Sequence, residues 1–145
     1  MDQHITEKNK PLTPTRENYL RALYQLSRSG GGVRLTDLAR SQGVRLPTAR
    51  HAVDCLKDAG LVAQESYGLI TLTDGGRTTG RAICDRFELT RRFLVEVLGV
   101  SDDVAEKEAC TMEHTLDDDT LNRLGAFVQK VTEAQPRRSG DLLPA

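Results

Sequence analysis

Tryptophan is absent from this 145-residue chain, and aromatic side chains make up only 4% of it. Stacked-ring cores are thereby excluded, and any core must be packed from Leu, Val, Ile and Ala. Long apolar runs are missing too. No stretch approaches the roughly 18 consecutive apolar residues of a membrane span. The opening MDQHITEKNK lacks the apolar segment of a secretory signal. A soluble, cytoplasmic protein with no membrane partner is expected. Cysteine is scarce: Cys55, Cys84 and Cys110 are odd in number and far apart, which rules out a disulfide framework and suits a reducing compartment. One-sided charge is lacking as well, with a net charge of −1. What remains is globular composition, 38% hydrophobic and 28% charged, in a length suited to one ordinary domain or two small ones.

The near-zero net charge conceals an asymmetry. Residues 1–80 carry 11 Lys and Arg against 8 Asp and Glu, whereas residues 81–145 carry 9 against 13. Between Arg28 and Lys57 six basic residues face only Asp37 and Asp54. A basic segment within a neutral chain suits contact with nucleic acid, where each neutralised phosphate releases counterions. A solvated helical surface would show the same charge, so the pattern needs a second signal.

That signal comes from the order of elements. A first helix is expected after Thr13-Pro14, with Thr13 or Thr15 as cap and Leu20, Leu23 and Leu26 at helical spacing, ending at Gly30-Gly31-Gly32. A short helix follows from Thr36 to about Ser41, then a turn at Gly43. The next helix opens at Pro47, whose missing N–H costs nothing in a first turn, and stops at Gly60. Its Ala49, Ala52, Val53 and Leu56 share one face, while Thr48, His51 and Cys55 share the opposite one with Arg50 on the flank. The period then falls from 3.6 to 2. Residues 61–65 and 69–73 read as strands of a hairpin turning at Tyr67-Gly68. After Asp74-Gly75-Gly76 a long helix should run to about Leu98, followed by helices from Asp102 to about Leu116 and from Asp117 onward. The fold class is mainly α: an N-terminal winged helix-turn-helix (13–80), then a helical domain (81–133), flanked by a flexible arm (1–12) and tail (134–145).

Four segments, ENYLRALYQL (17–26), RLPTARHAVDCLKDAGLV (45–62), GLITLTDGGRTTGRAI (68–83) and EACTMEHTL (108–116), resemble the diphtheria toxin repressor / manganese transport regulator family of metal-dependent repressors. The first three are shared in outline with many winged helices. The fourth, C-x-x-E-H, is far more specific. The resemblance runs from Thr15 to about Val128 in the family's order and spacing, and the SH3-like third domain of the iron-responsive members has no counterpart in this sequence. It implies a homodimer, held by helices from about Ala82 onward, that binds a palindromic double-stranded operator.

In a helix-turn-helix the N-terminal part of the second helix enters the major groove. The resemblance assigns groove contacts to Pro47, Thr48 and His51, and Arg45 and Arg50 have the charge and reach for phosphate or a guanine edge. Cys110, Glu113 and His114 stand at i, i+3 and i+4, so a helix gathers a thiol, a carboxylate and an imidazole on one patch. In the family these positions form the regulatory site, completed from the first helix. There a carboxylate or thioether is replaced by Asn18, a neutral and weaker oxygen donor. The family's second ion site loses its ligands, its histidine falling on Phe87 and its acidic partners on Arg21 or Arg91. Glu17, Glu88, Glu106 and Glu108 are further oxygen donors without a spacing argument. A sulfur ligand favours Fe²⁺, with Mn²⁺, Co²⁺, Ni²⁺ or Zn²⁺ as other candidates.

Two other functions compete. One is a winged-helix regulator without metal control that answers to redox state through Cys110. The other is a metal-assisted hydrolase using Glu113 and His114, which the lack of a Gly-rich phosphate loop, a nucleophile elbow and H-E-x-x-H disfavours. The sequence is read as a non-enzymatic repressor.

Overall fold

A computed structural model describes residues 12–27, 30–66 and 68–134. Apart from Leu12 and Ala134, the expected arm and tail lie outside these residues, as does Tyr67 of the hairpin turn. The chain divides into two compact units, Met1–Cys84 and Asp85–Ala145.

In the first unit α1 spans Pro14–Leu26, α2 Leu35–Gln42 and α3 Leu46–Asp58. Thr13 caps α1: its hydroxyl accepts the Arg16 N–H at 3.2 Å, and Pro14 occupies the first turn. Gly43, in the left-handed region at φ 64°, ends α2 and sets up the turn into α3. Strands β1 (Val62–Gln64) and β2 (Ile70–Leu72) pair antiparallel with Val62 opposite Leu72. Val33 adds a bridge to Ile70, with mutual backbone bonds of 2.8 Å. The core of this unit joins Leu20 and Leu23 of α1, Leu38 of α2, Ala49, Val53 and Leu56 of α3, Val62 and Ile70 of the hairpin, and Ile83. Leu26, expected on the apolar stripe, is 43% exposed, because α1 ends there and the inward face is already filled by Leu20 and Leu23.

Helix α4 (Asp74–Arg92) begins before the two glycines rather than after them. The cause is Thr73. Its hydroxyl accepts the Gly76 N–H at 3.0 Å and donates to the Gly60 carbonyl at 2.7 Å, so one side chain both caps the helix and ties it to the end of α3. Gly76 is buried, and a Cβ there would meet the Leu61 backbone, with the carbonyl carbon at 2.8 Å. The division between the two units falls inside α4.

The second unit does not continue as one regular helix to Leu98. After Arg92 the chain widens into a π-helical turn, Phe93–Val97, in which the Leu98 N–H reaches the Phe93 carbonyl at 3.2 Å. Gly99, at φ 74°, closes it. Helices α5 (Asp102–Thr115) and α6 (Asp118–Ala134) follow. The apolar cluster is small, centred on Phe87, Leu94, Ala105 and Ala109. No helix among the described residues is long and apolar enough to cross a membrane.

Candidate nucleic-acid interface and metal centre

Helix α3 is divided by its burial into two faces. Ala49, Ala52, Val53 and Leu56 are buried against the first unit's core. Arg45, Pro47, Thr48, Arg50 and His51, the residues expected to face DNA, are all exposed. Arg45 is the residue preceding the helix, and its carbonyl receives the Thr48 and Ala49 N–H groups at 3.1 Å. The two acids of the basic segment are already engaged: Asp37 pairs with Arg40 at 4.0 Å and Asp54 with Lys57 at 3.9 Å. Among the described residues no ion pair involves Arg34, Arg45 or Arg50, so these three guanidinium groups present their charge to solvent.

A groove of about 370 Å³ lies between α3 and the hairpin, lined by Arg34, Thr36, Arg50, Gln64 and Leu69 among others. Gln64 braces its outer edge by donating from Nε2 to the Gly68 carbonyl at 2.8 Å. Arg34 and Thr36 at the start of α2, and Leu46, which is 46% exposed beside Pro47, were not singled out from sequence. The available signal for Arg34 was its place in the basic segment. Leu46 carried one too, since an apolar residue opening a helix with its inner face already defined must point outward. Basic groups, hydroxyls and an apolar contact on one exposed helix end are the chemistry that duplex recognition uses.

In the second unit Glu113 is buried, its side chain wholly removed from solvent. Arg86 Nε donates to its Oε2 at 3.4 Å, and His114 Nδ1 lies 3.1 Å from Oε1. The imidazole and the carboxylate are thus neighbours on α5, two donor types that metal sites combine. Only 9% of the His114 side chain is exposed. Cys110, one turn earlier on α5, is half-buried and packs against the Phe87–Leu94–Ala105–Ala109 cluster. A buried carboxylate with an adjoining imidazole fits a divalent ion, which would offset the charge that burial makes costly.

Phe87 is 6% exposed and belongs to the apolar cluster. Arg91 is held by Glu88, with bonds of 2.6 and 3.1 Å, and lies 3.8 Å from Asp102. The hydrogen bond to Glu88 raises the proton affinity of this guanidinium further above its ordinary value. A packed ring and a permanent cation thus occupy these positions on α4. In the first unit Asn18 and Glu17 are half-buried neighbours on α1, and the Arg21 carbonyl accepts from the Cys84 thiol at 4.0 Å.

Comparison with known proteins assigns a family to both halves of the chain. Residues 11–69 match the family model described as iron dependent repressor, N-terminal DNA binding domain. Residues 73–139 match iron dependent repressor, metal binding and dimerisation domain. An HTH-type transcriptional regulator of Methanocaldococcus jannaschii is 33% identical over 115 residues, covering 79% of this chain and 92% of the relative. The HTH-type transcriptional regulator MntR of Shouchella clausii is 30% identical over 125 residues, covering 86% and 87%. A solved manganese-dependent transcriptional repressor, in complex with manganese, superposes with a TM-score of 0.71 at 32% identity; the match covers 79% of this chain and 52% of that one, so this chain spans about half the length of that structure. The chain belongs to the iron-dependent repressor family that includes the diphtheria toxin repressor and the manganese regulators, a family of metal-dependent DNA-binding repressors and not of enzymes.

Proposed function

We propose that this repressor acts in the cytoplasm as a homodimer on a palindromic operator, and that a divalent transition metal held by α5 switches it on. The observation that carries the metal reading is the buried Glu113 with His114 Nδ1 at its carboxylate. Glu113, His114 and Cys110 are the donors α5 offers. The family pattern draws a further ligand from α1, where Asn18 offers a neutral amide oxygen and its neighbour Glu17 a carboxylate. When bound, the ion would supply positive charge against Glu113. The thiol of Cys110 favours Fe²⁺ over Mn²⁺, which prefers oxygen and nitrogen. Arg45 and Arg50 bind phosphates, while Pro47, Thr48 and His51 meet base edges. The homodimer is supported by the apolar side chains the second unit leaves exposed, Leu98, Val104 and Phe127.

The test is operator binding under anaerobic, reducing conditions with Fe²⁺, with Mn²⁺ and with neither. Fe²⁺ should promote binding at lower concentration than Mn²⁺, and His114→Ala should abolish the response to both. An undiminished response in His114→Ala would sink the assignment, and a stronger response to Mn²⁺ would reverse the metal preference. In the same assay Glu17→Gln and Asn18→Ala decide which α1 residue contributes.

A further inference from the structure

The outward face of α3 carries a second pair of metal-ligating side chains, unconnected with α5. His51 and Cys55 stand at i and i+4, and Nε2 of the imidazole lies 3.8 Å from the Cys55 sulfur. His51 is exposed and Cys55 half-buried. A tetrahedral zinc ion bound at about 2.3 Å to sulfur and about 2.0 Å to nitrogen holds those atoms about 3.5 Å apart. The pair therefore has the bite of two zinc ligands with side-chain adjustments of a few tenths of an ångström. Asp54, beside them, is engaged by Lys57 at 3.9 Å and is not counted.

We propose that His51 and Cys55 form a Zn²⁺ site on the reading helix, completed by solvent, whose occupation removes sequence preference from DNA binding. Binding releases the thiol proton to solvent and leaves a thiolate on the ion. The effect on DNA follows from charge and position, and it rests on the reading of α3 as the groove helix. The ion takes the ring nitrogen that would face a base edge, and its water shell stands where the edge would approach. Its positive charge leaves attraction to phosphates intact. Discrimination is lost while general affinity for duplex persists. Glu113 and His114 respond to metal by activating the repressor, whereas this pair opposes recognition.

Zinc per chain, counted by calorimetry under a metal-free reductant, tests the site in the full chain. Wild type should take up one more Zn²⁺ than Cys55→Ser, and His51→Ala should lose that extra ion as well. His114→Ala should retain it. Equal zinc counts in wild type and Cys55→Ser would overturn the site. If His114→Ala loses no ion at all, the α5 centre fails while the α3 site stands, so the two readings fail separately. The regulatory part is read by competing a duplex selected by the protein from a random pool against unselected duplex. Added Zn²⁺ should erase the preference in wild type and spare it in Cys55→Ser; equal loss in both would overturn the link to DNA.

Discussion

The two units solve the burial problem in opposite ways. Among the described residues the first closes a core of fourteen buried residues drawn from three helices, the hairpin, Val33 and Ile83. Its functional groups are then free to stand outside, on the exposed side of a helix anchored from within. Among the described residues the second clusters Phe87, Leu94, Ala105 and Ala109, with Leu121 and Val128 buried on α6, and it encloses the charged group that matters, Glu113, while leaving Leu98, Val104 and Phe127 in solvent. A unit with a full core can present chemistry on its surface without risk to its fold. A unit with a sparse core depends on what else covers it and on how its buried charge is compensated.

Truncating one leucine in each core tests this contrast most forcefully. Leu56 has no exposed surface and lies where α3 meets the core, so Leu56→Ala should cost about 3–4 kcal/mol. Leu94, 4% exposed in a cluster with less to collapse around it, should cost about 2 kcal/mol on truncation. Chemical denaturation of the two variants checks the order. Equal losses, or a larger loss at Leu94, would mean that the second unit is better packed than its small cluster suggests.

Gly76→Ala comes next. The added methyl meets the Leu61 backbone, and backbone on both sides of the contact leaves nothing flexible to yield. A loss of about 2–3 kcal/mol is expected, with β1 displaced and DNA affinity reduced along with stability. A variant as stable as wild type would show that the start of α4 can shift.

These cases also show what could be read in advance. The two faces of α3 were legible because the 3.6 period sorts Ala49, Ala52, Val53 and Leu56 from Thr48, His51 and Cys55 without reference to anything else. The hairpin was legible from its change of period. The true start of α4 was not, because two glycines read as a break; the Thr73 hydroxyl, three residues ahead of Gly76, was the signal that overrides it. The π-helical turn at Phe93–Val97 leaves no period in the sequence at all. At α5 the spacing of Cys110, Glu113 and His114 was visible, but the pairing of Glu113 with Arg86, 27 residues away, depends on tertiary structure.

Arg86→Gln probes that pairing. The Glu113 side chain is fully buried and that of Arg86 is 31% exposed, so the bond is partly screened at one end only. Removing the cation leaves a buried carboxylate with less compensation, and a loss of about 2 kcal/mol is expected, less than for a fully buried pair. A divalent ion should then recover more of the melting midpoint in the variant than in wild type. Equal midpoints without metal would place the compensation of Glu113 elsewhere.

The smallest effect belongs to the surface side of the comparison. Arg50 is exposed, lines the groove between α3 and the hairpin, and has no ion-pair partner among the described residues. Arg50→Ala should leave the stability of the fold within about 0.5 kcal/mol of wild type. Each phosphate contact contributes about one unit to the slope of log affinity against log salt, so the variant's slope should be shallower by about that amount. If Arg50 touches only phosphate, selected and unselected duplexes weaken together. If it reaches a guanine edge, the selected duplex loses about 1–3 kcal/mol more than the unselected one. Measuring both duplexes across a salt series separates these roles, and an unchanged slope with unchanged preference would remove Arg50 from the interface.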